Sequence, residues 1–173
     1  MPNFPTDARE ADALVQIQKF IGTNKNIFAI ARGLSHFGEH ALGWFGMSTL
    51  GILLDKKRRV SWLRLGIAAL ISHAASVVIK RIVRRNRPSD SRIHVGVATP
   101  SKLSFPSSHS TSTAASLVYL AKLTRSPLPL VGIPVMMISR MILGVHYPTD
   151  VLVGALVGTV TAEAVARIGK ENV

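Results

Sequence analysis

Three short clusters in this 173-residue chain carry residue types that handle an anion. Lys80 and Arg87 stand seven residues apart, and Pro88 follows. Ser107, Ser108 and His109 come after Pro106 and open a run rich in Ser, Thr and Ala. Arg140 precedes His146 and Asp150, which are four residues apart. On a continuing helix, Lys80 and Arg87 would sit two turns apart on one side, leaving Arg81, Arg84 and Arg85 to point elsewhere. Pro88 would end that helix and hold Arg87 at its rim. Ser107 or Ser108 suits a helix N-cap, and the unpaired N–H groups of the first turn make an anion site at the positive end of the helix dipole. Pro148 suits the first position of the next helix, from which Asp150 reaches back toward the His146 imidazole. A carboxylate bonded to one ring nitrogen sets the tautomer and leaves the other nitrogen as nucleophile or base.

Together these clusters supply three cations, a helix N-terminus, two histidines and one carboxylate. Such a set binds a multiply charged oxyanion and transfers it, because cations stabilise the equatorial oxygens of a moving phosphoryl group. One histidine attacks while the other protonates the leaving oxygen. A Ser-His-Asp acyl hydrolase built on Ser107 or Ser108 is the competing reading. It has no use for three cations, and the chain lacks a G-x-S-x-G elbow. As a metal pair, His146 and Asp150 need further ligands, and their nearest candidates are cations, so no metal is expected.

The elements that must position these residues follow from composition. The formal charge is +12, yet only 17% of residues are charged and 47% are hydrophobic. Mean hydropathy is +0.31. Disorder is excluded by that balance, and the absence of cysteine excludes disulfides and thiolate chemistry. The basic residues punctuate apolar runs instead of lining a polar groove, which points to membrane lipids as partners and away from nucleic acid. Apolar runs cover residues 37–54, 62–79, 109–123, 128–143 and 151–168. They predict an all-α integral membrane bundle of about five spanning helices. Two N-terminal amphipathic helices are expected before it, one around Leu14, Ile17, Phe20 and Ile21 and one over residues 27–34. The chain thus divides into an interfacial segment, 1–36, and a membrane domain, 37–173. Alternating helix directions bring all three clusters to one membrane face, with Glu39 and His40 at the start of the first run on that same face. His73, Ser76 and Lys80 form a stripe leading to them, and Gly154 with Gly158 suits close packing within the bundle. Lys and Arg split evenly between the two faces, so charge alone sets no orientation.

Lys80-x6-Arg87-Pro88, Pro106-Ser107-Ser108-His109 and Ser139-Arg140-x5-His146-x3-Asp150 resemble the three-part signature of the type 2 phosphatidic acid phosphatase (PAP2) family. The resemblance implies a multi-pass membrane phosphatase of the bacterial plasma membrane, acting on a lipid phosphate monoester without a metal or other cofactor. It makes His146 the nucleophile that forms a phosphohistidine, Asp150 its orienting carboxylate and His109 the general acid. Lys80, Arg87, Ser107 and Arg140 would hold the phosphate, with Ser108 beside them. One position departs from the pattern, which usually reads Pro-Ser-Gly-His: Ser108 replaces the Gly, and its backbone N–H remains a donor. Within the family the chain is similar to bacterial prenyl-phosphate and phospholipid phosphatases, including short actinobacterial enzymes that dephosphorylate decaprenylphosphoryl-5-phosphoribose. A polyprenyl pyrophosphate phosphatase and a non-catalytic membrane anion-binding protein are the alternatives.

Overall fold

The computed structural model describes residues 7–168, so the outer ends of both expected units, 1–6 and 169–173, lie outside the described residues. Seven α-helices occur among them: α1 Asp7–Ile17, α2 Lys25–Gly38, α3 Leu42–Leu54, α4 Arg59–Val83, α5 Ser108–Thr124, α6 Gly132–Ile142 and α7 Pro148–Ile168. Among the described residues the only β-pairing is an isolated bridge between Asn86 and Leu103, inside the long α4–α5 connection.

Helix α5 forms the hub, packed against α4, α6 and α7. Its sequence explains why: Ser110 to Ser116 are all small or β-branched, and all are buried. Small side chains let neighbouring backbones approach closely, and Thr111 and Ser112 return their hydroxyls to carbonyls one turn back. On α7, Gly154 faces the Ser107 carbonyl and Gly158 faces that of Thr111, leaving no room for a side chain at either. This Gly-xxx-Gly pair therefore serves packing inside the bundle. The inner face of α4 runs Leu65, Ala69, Ser72, Ser76 and Lys80 at three- and four-residue steps. An apolar core closes between α4, α5 and α7 around Leu65, Ala115, Tyr119 and Ala162.

The outer surface is apolar. Leu63, Ile67, Leu70, Val78 and Ile82 stripe the exposed side of α4, and Leu152, Leu156 and Val160 do so on α7. An exposed apolar belt of this extent is stable against lipid, not water. Two helices, Lys56–Val83 and Pro148–Ile168, are long and apolar enough to cross a bilayer. The five-span expectation meets a length limit elsewhere. At about 1.5 Å per residue, 17 residues of α5 extend about 25 Å, and α3 and α6 are shorter, against a hydrocarbon core of about 30 Å.

Two further expectations change. The run beginning at Phe37 is not one helix: α2 ends at Gly38, and His40 and Ala41 adopt left-handed backbone (φ 49° and 60°) before α3 starts. A right-handed helix cannot pass through that conformation, so the chain turns there, leaving α2 beside the three clusters. Helix α4 likewise stops at Val83, with Arg84 left-handed (φ 55°), so Lys80 and Arg87 do not share a helix and Pro88 does not end it.

Candidate functional site

Four separate segments converge on one cavity of about 590 Å³, lined by Lys80 from α4, Arg87 from the α4–α5 connection, Ser108 and His109 from α5, and Arg140 and His146 from around the α6 end. Each is positioned by a local cause. Arg87 is carried on an irregular strand-like stretch whose N–H meets the Lys102 carbonyl at 3.2 Å. Its guanidinium donates to the carbonyls of Ser101 at 2.8 Å and Val145 at 2.7 Å, which aims Nη1 at His146 Nε2, 3.1 Å away. A guanidinium only donates, so Nε2 is the acceptor and the proton of a neutral imidazole sits on Nδ1. The lone pair of Nε2 thus meets Arg87, and both groups line the cavity.

Burial holds the His146 imidazole well below its ordinary value of 6.5, reinforced by Arg87 and then Arg140. Burial likewise lowers Arg87 to about 10, leaving it charged at neutral pH. His146 should therefore stay neutral as pH falls through 6.5. In 15N-histidine NMR of the detergent-solubilised protein its ring signals should not shift across that value, and Arg87→Gln should move the titration upward. A His146 signal that titrates at or above 6.5 in the unsubstituted protein contradicts this electrostatic picture.

His109 points Nε2 at the Ser35 carbonyl of α2, 2.9 Å away. A carbonyl only accepts, so that nitrogen carries a proton held ready at the cavity wall. Arg140 is buried in α6, where Nη1 donates to Ser35 Oγ at 2.6 Å. Ser35 thereby ties α2 to both residues.

Lys80 is placed differently from expectation. Its ammonium donates to the carbonyls of Leu103, Ser104 and Pro106 at 3.2, 3.0 and 3.0 Å. Those bonds use all three of its protons, so Lys80 clamps the connection leading into α5 while its charge remains at the cavity. Ser107 caps α5, accepting the Ser110 N–H at 3.4 Å, and is wholly buried. Its own N–H goes to the Asp150 carbonyl at 2.9 Å. Ser108 lines the cavity, and its Oγ donates to Ser76 Oγ at 2.8 Å, because the Ser76 proton goes to the His73 carbonyl at 2.7 Å. Of the predicted stripe, His73 and Lys80 line the cavity while Ser76 holds Ser108; Glu39 and His40 line it as well.

Asp150 lies 3.6 Å from His146 Nδ1, beyond hydrogen-bond range, and that nitrogen has no partner among the described residues. The carboxylate instead takes the Tyr147 N–H at 2.8 Å and Arg85 at 3.0 Å. Arg85, expected to point elsewhere, is buried: it bridges Asp150 and Glu10 of α1 at 2.8 Å and lies 4.1 Å over the Tyr147 ring. Burial alone would raise the Glu10 carboxyl, but hydrogen bonds from Thr149 and Arg85 outweigh it and hold the group below its ordinary 4.5. Sequence reasoning missed Arg85 because Arg81, Arg84 and Arg85 offer no way to choose among them. Glu10 carried no motif at all. Ser35 and Arg32 were hidden likewise, since only the turn at His40 brings α2 over the cavity.

The PAP2 superfamily model matches residues 61–173. Decaprenylphosphoryl-5-phosphoribose phosphatase of Mycobacterium tuberculosis is 46% identical over 160 residues, 92% of this chain and 90% of that protein. The enzyme of the same name from Mycolicibacterium smegmatis is 50% identical over 145 residues, 84% of this chain and 81% of that one. Two solved structures share the fold. The transmembrane PAP2-type phosphatidylglycerolphosphate phosphatase of Bacillus subtilis has a TM-score of 0.76 at 23% identity, covering 97% of this chain and 86% of its own. Aquifex aeolicus LpxE has a TM-score of 0.69 at 18% identity, covering 88% and 93%.

Proposed function

The chain belongs to the PAP2 superfamily and is a lipid phosphate phosphatase, and we propose that it removes the 5-phosphate of a prenylphosphoryl-5-phosphoribose through a phosphohistidine. The observation that carries the chemistry is the meeting of Arg87, Arg140, His109 and His146 in one cavity. The phosphate seats against the two guanidiniums and the first-turn N–H groups of α5, which oppose the charge that builds on its equatorial oxygens. His146 Nε2 attacks phosphorus, the bond to the ester oxygen breaks, and that oxygen takes a proton from the doubly protonated His109 ring, which becomes neutral. Water then attacks the phosphohistidine, gives a proton to His109, and inorganic phosphate leaves with His146 restored. Asp150 steadies the imidazolium-like charge on His146, and Lys80 holds the loop and adds to the positive field.

The domain from residue 37 onward is, in this reading, a multi-pass bundle in the bacterial plasma membrane. Helices α3 to α7 all cross it, the shorter ones completed by their flanking turns, while the segment up to residue 36 lies at the interface. The exposed leucines of α3 (Leu50, Leu53 and Leu54) support that arrangement. A role in cell-envelope lipid-carrier metabolism follows from the relatives' substrate.

The test is a panel of lipid phosphates on purified protein in detergent with excess chelator: prenylphosphoryl-5-phosphoribose, prenyl monophosphate, prenyl pyrophosphate and phosphatidic acid. Phosphate release should be fastest from the first and indifferent to the chelator. Preference for the pyrophosphate replaces the substrate assignment, and release from none of the four sinks the enzymatic reading.

A further inference from the structure

A second cavity, of about 600 Å³, adjoins the catalytic one and shares Arg32 and His36 with it. Its polar lining includes Lys25 and His94, and no carboxylate lines it among the described residues. The pattern originates in α2. Lys25, Ala29, Arg32 and His36 recur at four-, three- and four-residue steps, so they form one stripe along the helix. Ile27, Ile30 and Phe37 occupy another stripe, so α2 presents apolar side chains on one exposed side and its cations, also exposed, on the side that borders the two cavities.

Arg32 is held but not satisfied. Its Nε donates to the Gly96 carbonyl at 2.9 Å, and its guanidinium carbon lies 5.0 Å over the Phe28 ring. Its two terminal nitrogens have no hydrogen-bond partner among the described residues. A fixed guanidinium with unused donors is suited to a bidentate oxyanion. It also lies at the right remove from the chemistry. Ser35, which touches Arg140 and His109, is three residues farther along α2, about 4.5 Å of helix rise. Lys25 continues the cationic stripe about 10 Å beyond Arg32 by the same rise.

We propose that Arg32, with Lys25 behind it, forms a subsite for a second phosphate of the substrate: the diester linking a prenyl chain to a pentose whose monoester phosphate sits at His146. This rests on the lipid phosphatase reading above. The site then measures two phosphates across one sugar, and a lipid with a single phosphate leaves the subsite empty.

The experiment compares Arg32→Gln and, separately, Lys25→Gln with the unsubstituted enzyme on a short-chain prenylphosphoryl-5-phosphoribose and on phosphatidic acid. The readout is the ratio of kcat/KM for the two substrates, which partial unfolding does not move. Loss of one charged hydrogen-bonding partner should lower that ratio about tenfold for Arg32→Gln, chiefly through KM, and less for Lys25→Gln. An unchanged ratio in both variants, with both substrates hydrolysed, overturns the subsite alone. No phosphate release from either substrate by the unsubstituted enzyme overturns the phosphatase reading, and the subsite with it.

Discussion

Exchange of His146 for Ala should abolish phosphate release from every lipid phosphate the protein accepts, a loss of about 10⁴- to 10⁶-fold, as for removal of other covalent nucleophiles. The size follows from what the residue does. In the proposed cycle its Nε2 both forms and gives up the bond to phosphorus, and no other side chain is placed to substitute. His109 keeps Nε2 against the Ser35 carbonyl, and the Lys80 ammonium is consumed by three carbonyls. The exchange should spare the fold. His146 makes one polar contact, to Arg87, and Arg87 retains Ser101 and Val145 as acceptors. A melting curve in detergent close to that of the unsubstituted protein, with release at background, is the expected pair of results. Residual activity above one hundredth would place the nucleophile elsewhere. Retained binding of a lipid phosphate by the variant is compatible with loss of turnover, since both guanidiniums remain.

The second large effect concerns stability. Arg85→Met should destabilise the protein by about 3–5 kcal/mol, the cost of removing one partner from a buried ionic group. Arg85 is the cation between Glu10 and Asp150, and its side chain is only 4% exposed. Without it, two carboxylates share a dry space with only neutral donors, among them the hydroxyl and N–H of Thr149, the N–H of Tyr147 and the Ser104 hydroxyl, to satisfy them. Adding Glu10→Gln should recover part of the loss, because the neutral amide removes one of the two stranded charges. Thermal melts of the single and double variants check both statements, and a single variant that melts like the parent would mean the network contributes nothing.

The same network has a pH signature. The folded Glu10 carboxyl titrates below its ordinary 4.5, so the folded state binds fewer protons than the unfolded one near that pH. Its contribution to stability is complete above 4.5 and is lost as pH falls through the depressed value. Acid should therefore loosen α1 from the Asp150 region, and Glu10→Gln should flatten that acid limb.

Much of this site could be read in one dimension because its chemistry is dense in short motifs. His146 and Asp150 are four apart, and Ser107 sits where an N-cap must. The apolar runs likewise located α4 to α7, since lipid-facing helices need nearly continuous apolar sequence. Less legible was anything that depends on where a helix stops. Arg84 and His40 carry no residue-type signal for left-handed backbone, a conformation usually left to glycine. Yet Arg84 ends α4 before Arg87, and His40 ends α2 so that Ser35 faces Arg140.

Residue chemistry and spacing thus determined, without any coordinates, the class of reaction, the helical membrane architecture and most of the side chains that gather at the cavity. Tertiary structure decided the division of labour among the cations. Arg87 and Arg140 line the cavity, Lys80 spends its protons on backbone carbonyls, and Arg85 turns inward to Glu10 and Asp150. The physical reason is that a cation's role is set by the acceptors around it. Those acceptors lie from 14 residues away, for Arg87 and Ser101, to 105, for Arg140 and Ser35, distances that no local pattern in the chain can specify.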